Sequence, residues 1–135
     1  MASSAVDRYK QVRVQTSTPG ELLLALYDGL FRFLNGAKVC LESNQKPRAN
    51  ELLGKSYSIV AELYLALDHD AAPELCANLS ALYDFCMTRI NETIRDGSAQ
   101  KVEEVIRVLT PLREAWQQAV PEAMKESKAK PGKTK

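Results

Sequence analysis

The stretch TPGELLLALYDGLFRFL at residues 18–34 decides the fold. Thr18 can cap a helix, Pro19 suits its first turn, and Glu21 stands three residues after the cap, which is the capping-box pattern. Apolar residues then recur at spacings of three and four, the period of a helix that buries one side. We therefore predict a helix that begins after Thr18, ends near residues 43–44 and buries Leu23, Tyr27, Leu30, Leu34, Ala37 and Leu41.

Three further helices are predicted from the same period and from proline and glycine positions. Pro47 and Pro73 suit first turns, Ser98 can cap the last helix, and the expected bounds are 47–68, 73–97 and 98–121. Pro111 lies inside the fourth helix and predicts a kink, because proline removes a backbone hydrogen bond. The expected buried positions are Ala49, Leu53, Ser56, Val60, Leu63 and Leu67, then Cys76, Leu79, Tyr83, Cys86 and Ile90, and finally Val102, Val105, Leu109, Leu112, Trp116 and Ala119.

Connections of only a few residues force neighbouring helices to run antiparallel. The expected fold is all-α, an antiparallel up-down-up-down four-helix bundle with an extended N-terminal segment. We place a mobile or extended segment at residues 1–17, the helical bundle at 18–122 and a disordered basic tail at 123–135. In that tail five lysines and one glutamate give 5 − 1 = +4, and little apolar surface is present to offset the entropy of ordering.

The composition of the 135 residues, 45% hydrophobic and 26% charged, is typical of one folded domain. The apolar runs are shorter than the roughly 20 residues that cross a bilayer, and the first residues lack a secretory signal pattern. We therefore expect a cytoplasmic protein without membrane insertion. The net charge of +1, without interleaved aromatic and basic residues, argues against nucleic acid as a partner. The three cysteines lack CxxC spacing and are expected to be reduced.

The residue pattern does not indicate enzyme chemistry. A di-iron site in a helical bundle requires paired Glu-x-x-His motifs, whereas His69 is the single histidine. Asp68 and Asp70 flank it in a predicted turn, so a solvated loop residue is the simpler interpretation and a histidine phosphotransfer domain is the alternative. Phosphate-binding loops, nucleophile elbows and zinc-ligand spacings are missing. We predict no catalytic residue, no metal and no cofactor.

The first two helices carry more apolar residues than one core-facing stripe requires. In the first, apolar groups extend beyond the usual stripe, and in the second Tyr57, Tyr64 and Leu65 fall outside the predicted buried positions. One interpretation is an ordinary core with a few exposed apolar residues. The other is a surface groove for a partner helix or extended segment, with aromatic side chains as anchors.

Three stretches resemble the flagellar secretion chaperone family, which binds flagellin: YKQVRVQTSTPGELLLALYDG at residues 9–29, NLSALYDFCMTRI at 78–90 and LTPLREAW at 109–116. The resemblance departs at Pro111 and at residues 70–73. It implies a bundle without enzymatic activity that holds the disordered C-terminal segment of flagellin and prevents premature polymerisation. It also implies delivery of flagellin to the flagellar type III export apparatus, and contacts with export-gate and regulatory proteins.

The family further implies that the N-terminal segment covers part of the groove when the client is absent. We assign Tyr9, Val12 and Val14 to this cap. The groove residues are selected from the apolar members of the first three helices, and several of them are expected to belong to the core, because spacing does not separate a buried residue from a groove-lining one. They are Leu22, Leu26, Tyr27, Leu30, Phe33, Tyr57, Tyr64, Leu67, Leu82, Tyr83 and Phe85. Candidate polar contacts are Asp28, Asn35, Asn78 and Arg89, for which a solvated helix face is the simpler explanation. The alternative function is that of a helical adaptor for another client.

Overall fold

Four helices follow one another along residues 18–129, the range that the computed structural model describes, with side chains described for residues 18–121. They are α1 (Pro19–Glu42), α2 (Lys46–Leu65), α3 (Pro73–Asp96) and α4 (Ala99–Ala129). α1 packs against α2 and α4, and α3 packs against the same two helices. The short connections make sequential helices antiparallel. The predicted all-α four-helix bundle is therefore confirmed, and residues 18–129 contain no strand. The predicted extended N-terminal segment lies outside the described residues.

The start of α1 is fixed by the predicted capping box. The Glu21 backbone N–H donates to Thr18 Oγ1 at 3.2 Å, and the Thr18 N–H donates to Glu21 Oε1 at 2.9 Å. Each side chain thereby satisfies a backbone donor that has no partner within the helix. This cap sets where the apolar stripe of α1 begins relative to the rest of the bundle.

The turn between α3 and α4 is held by a glycine and by a lysine from α2. Gly97 has φ of 70°, a left-handed conformation that favours glycine, and its N–H donates to the Thr93 carbonyl at 2.7 Å. Lys46 Nζ donates to the Arg95 carbonyl at 3.2 Å. The first residue of α2 therefore places a positive charge at the carbonyl end of α3, where the helix dipole favours it.

α4 is longer than the sequence analysis expected. It continues through Pro111 and Pro121 to Ala129, so the end expected near Pro121 is wrong. Residues 122–129 (EAMKESKA) are mostly strong helix formers, and the helical backbone overlaps part of the stretch assigned to a disordered tail. The kink at Pro111 and the domain boundary at residue 122 remain predictions. Residues 130–135 lie outside the described range.

Most predicted buried positions form the core, but the last part of α4 differs. Ala119 is exposed, and Val120 is buried in its place. Val120 packs against Gly20, where an added Cβ would lie 2.7 Å from Val120 Cγ1. Glycine at this point lets the first turn of α1 approach α4 closely. The predicted positions that are only half-buried are Leu23, Leu41, Leu67, Leu112 and Trp116.

A hydrogen bond between two phenol hydroxyls crosses the core from α1 to α3. Tyr27 and Tyr83 are 0% and 2% exposed, and their hydroxyl oxygens are 2.7 Å apart. Burial raises the pKa of both phenols, because it disfavours the charged phenolate. Burial also raises the pKa of the Cys86 thiol beside them to about 12. The Trp116 indole lies close to the Tyr27 hydroxyl, but its Nε1 does not reach hydrogen-bond geometry. The two hydroxyls therefore satisfy each other as neutral groups.

We expect Tyr27→Phe and Tyr83→Phe each to lower the free energy of unfolding by about 1–3 kcal/mol, because each leaves one buried hydroxyl unpaired. The double variant should lose less than the sum of the two single losses, since it removes both hydroxyls. Urea unfolding of the four proteins measures this coupling. Tyr64→Phe is the control: this half-buried tyrosine makes no hydroxyl hydrogen bond within residues 18–121, and the change should stay within about 0.5 kcal/mol. Additive losses would contradict the pairing.

Candidate functional site

Four of the predicted groove residues lie inside the bundle. Leu26 is 7% exposed, Tyr27 and Leu30 are each 0% exposed, and Tyr83 is 2% exposed. The predicted burial of Tyr27, Leu30 and Tyr83 is confirmed, and Leu26 is buried although it falls outside the predicted stripe. The reason is that α1 packs against both α2 and α4, so the buried part of its circumference is wider than a single stripe. Whether these residues contact a client remains a prediction, but they are not at the surface of the chain.

The other seven predicted groove residues remain half-exposed. All seven are partly accessible to solvent, and all except Leu82 pack against the buried core. They are distributed over α1, α2, the connection 66–72 and α3. We call them the half-buried apolar set: Leu22, Phe33, Tyr57, Tyr64, Leu67, Leu82 and Phe85.

Two phenylalanines show that this set occupies more than one side of the bundle. Lys55 of α2 lies over the Phe33 ring of α1, with Nζ 5.5 Å from the ring centroid, so Phe33 lies at the α1–α2 boundary. Arg89 lies over the Phe85 ring at 5.2 Å, and its Nε is 2.9 Å from Oε1 of Glu104 on α4. Phe85 therefore lies towards the α3–α4 boundary, which is opposite the α1–α2 boundary in the ring of helices. A partner that touches both rings has to wrap around the bundle.

The candidate polar contacts mostly have partners within the chain. Asp28 accepts from Arg113 Nη2 of α4 at 2.7 Å, and the same guanidinium lies 4.7 Å from the Phe31 ring centroid. Asn35 Nδ2 donates to the Phe31 carbonyl at 2.9 Å. Arg89 is shared between Glu92 at 2.8 Å and Glu104. The contacts of Asp28 with Arg113 and of Arg89 with Glu104 thus connect neighbouring helices in the chain alone. Asp28, Asn35 and Asn78 are exposed, and Arg89 is half-buried.

The three predicted cap residues lie beyond the described range, and one exposed leucine was not among the predicted groove residues. Tyr9, Val12 and Val14, the proposed cap, are outside the described residues. Leu65, the last residue of α2, is 77% exposed and is the most exposed of the large hydrophobic residues described. Its position outside the predicted buried stripe was the available signal, but it was not included among the groove residues.

The structure does not place the single histidine where phosphotransfer would need it. His69 is exposed and lies in the connection 66–72, not on a helix face. Among the side chains described, those of residues 18–121, no group of three or more histidine, cysteine, aspartate or glutamate residues could hold a metal ion. None of the helices within residues 18–129 has the length and apolarity that a membrane crossing requires.

Comparison with known proteins gives a consistent result. Residues 1–123 match the family model described as "Flagellar protein FliS". The flagellar secretion chaperone FliS of Bacillus subtilis (strain 168) is 36% identical over 112 residues, covering 83% of each chain. That of Salmonella typhimurium is 32% identical over 126 residues, covering 90% of this chain and 93% of the relative. A solved structure described as a flagellar chaperone from bacteria has a TM-score of 0.72 at 24% identity, covering 89% of this chain and 98% of its own. That structure supports the fold, and the sequence matches show that the chain belongs to the flagellar protein FliS family.

Proposed function

We propose that this chain is a cytoplasmic, non-enzymatic export chaperone that binds the disordered C-terminal segment of flagellin. Binding keeps flagellin from polymerising early and delivers it to the flagellar type III export apparatus. Family membership supports the general role, because the relatives are flagellar secretion chaperones. The observation that carries the proposal is the half-buried apolar set, which gives a folded bundle accessible apolar surface on more than one side.

The distribution of this surface favours a disordered client over a folded one. Phe33 and Phe85 lie at opposite helix boundaries, so one rigid helix or flat surface cannot contact both. A disordered segment can wrap around the bundle and fold as it binds. Such a client loses chain entropy on binding, and the buried apolar surface offsets that loss. Aromatic anchors suit this role because they supply large contact area with few rotatable bonds.

Size-exclusion chromatography of the purified chain with flagellin, and with flagellin that lacks its C-terminal segment, tests the recognition. We expect a complex with intact flagellin and none with the truncated form, because the proposed contacts are with the missing segment. Equal binding to both forms, or binding to neither, would reject the proposal. Binding of an unrelated disordered segment with equal affinity would favour a general adaptor.

Substitutions in the half-buried apolar set test the surface itself. Tyr64→Ser combined with Phe85→Ser should weaken flagellin binding about tenfold or more, which corresponds to about 1.4 kcal/mol. Val39→Ser is the matched control, because Val39 is 60% exposed but is not part of the set, and we expect no loss of affinity. Isothermal titration calorimetry measures binding, and thermal unfolding checks that each variant is folded. Equal weakening by Val39→Ser would remove the set from the binding surface.

The N-terminal segment is proposed to compete with the client for this surface. A competing segment lowers the observed client affinity and shields apolar surface in the empty chaperone. We expect deletion of residues 1–15, which include Tyr9, Val12 and Val14, to tighten flagellin binding and to increase aggregation of the empty chain. Titration calorimetry and light scattering measure the two effects. If neither changes, the segment is not a cap.

A further inference from the structure

Two exposed leucines flank the connection between α2 and α3. Leu65 is the last residue of α2 and is 77% exposed, and Leu75 near the start of α3 is 50% exposed. A leucine side chain that remains exposed does not gain the free energy of burial, so neighbouring exposed leucines promote association with another apolar surface. The third large exposed hydrophobic residue described, Val39, lies near the end of α1 at the opposite end of the bundle. We call Leu65, Leu75 and the connection 66–72 the loop end.

The loop end carries acidic residues and no lysine or arginine. Residues 56–88 contain no lysine or arginine, and the acidic side chains in this stretch are Glu62, Asp68, Asp70, Glu74 and Asp84. Asp68, Asp70 and Glu74 are exposed, and none of these three takes part in a salt bridge within residues 18–121. A segment rich in lysine or arginine fits this surface, because these side chains carry a cationic group at the end of an apolar stem.

The chain itself supplies such a segment directly after α4. Residues 130–135 (KPGKTK) contain three lysines and no acidic side chain. α4 runs antiparallel to α3, and its residue Val120 contacts Gly20 at the start of α1, so α4 leaves the bundle at the loop end. From Val120 to Ala129 the helix rises about 13 Å at 1.5 Å per residue. Six further residues can span about 20 Å, and a Pro-Gly pair favours a turn.

We propose that residues 130–135 dock on the loop end of the same chain. The methylene stems of the lysines cover Leu65 and Leu75, and their ammonium groups approach Asp68, Asp70 and Glu74. Individual surface ion pairs are weak, but a tethered segment has a high effective concentration, so weak contacts suffice. The docked segment shields the leucines from other chains. It dissociates at higher salt concentration, because salt screens exposed charges.

A spin label placed at Thr134→Cys tests this contact in the full chain. Cys40→Ser removes the half-buried native thiol, while Cys76 and Cys86 are buried. In the ¹⁵N-labelled protein at about 20 mM salt, amide signals of residues 65–75 should lose most of their intensity and recover at about 0.5 M salt. Signals next to Val39 should stay unchanged. Absence of selective broadening at residues 65–75 would overturn the proposal.

Variants that remove the lysine charges or the exposed leucines distinguish specific docking from mere nearness of the spin label to the loop end. Changing Lys130, Lys133 and Lys135 to glutamine should abolish the broadening, whereas changing them to arginine should keep it. Leu65→Ser with Leu75→Ser should reduce the broadening, and Val39→Ser should not. Persistent broadening in the glutamine variant would overturn the proposal. A further sample mixes spin-labelled chain at natural isotope abundance with ¹⁵N-enriched chain that carries no spin label. Broadening in this mixture would show that the segment docks on a second copy, and it would also overturn the proposal.

Discussion

The hydrogen bond between Tyr27 and Tyr83 constrains the rest of this bundle. The two residues lie on α1 and α3, and each of these helices also packs against α2 and α4. Because both hydroxyls are buried, each must keep the other as its partner or lose the free energy of an unpaired polar group. The bond therefore fixes the position of α1 relative to α3. Phe33 and Phe85 are carried by the same two helices, so their placement is set before any partner binds.

A surface fixed in this way has a thermodynamic advantage for a chaperone. The bundle does not need to rearrange in order to present its half-buried aromatic rings, so ordering entropy is lost mainly by the partner. The ion pairs of Arg89 with Glu104 and of Arg113 with Asp28 contribute to the same rigidity, because they connect α4 to both neighbouring helices. Exposed pairs of this kind add little stability individually, but they restrict how the helices rotate.

The fold was largely predictable from the sequence because its determinants are local. The capping box at Thr18 and the left-handed Gly97 act within one turn of chain, and the apolar period identified most of the core. The length of α4 was not predicted, because a proline near the end of an apolar period indicates a stop, whereas the residues after Pro121 are mostly strong helix formers. The candidate site was less predictable. Spacing shows which residues share a stripe, but Leu26 and Leu65 both lie outside the predicted stripes and are distinguished only by how much of each helix its neighbours cover.

Because the bundle has an even number of antiparallel helices, its two ends differ. The contact between Gly20 and Val120 shows that the chain enters and leaves the bundle at one end, the end that also holds the connection 66–72. The opposite end has only the tight links at residues 43–45 and 97–98, where Lys46 closes the turn. Neither Thr18 nor Ala129, where the described part of the chain begins and ends, lies at that end. A tether inserted there would hold the molecule in one orientation, with the connection 66–72 pointing away from the point of attachment.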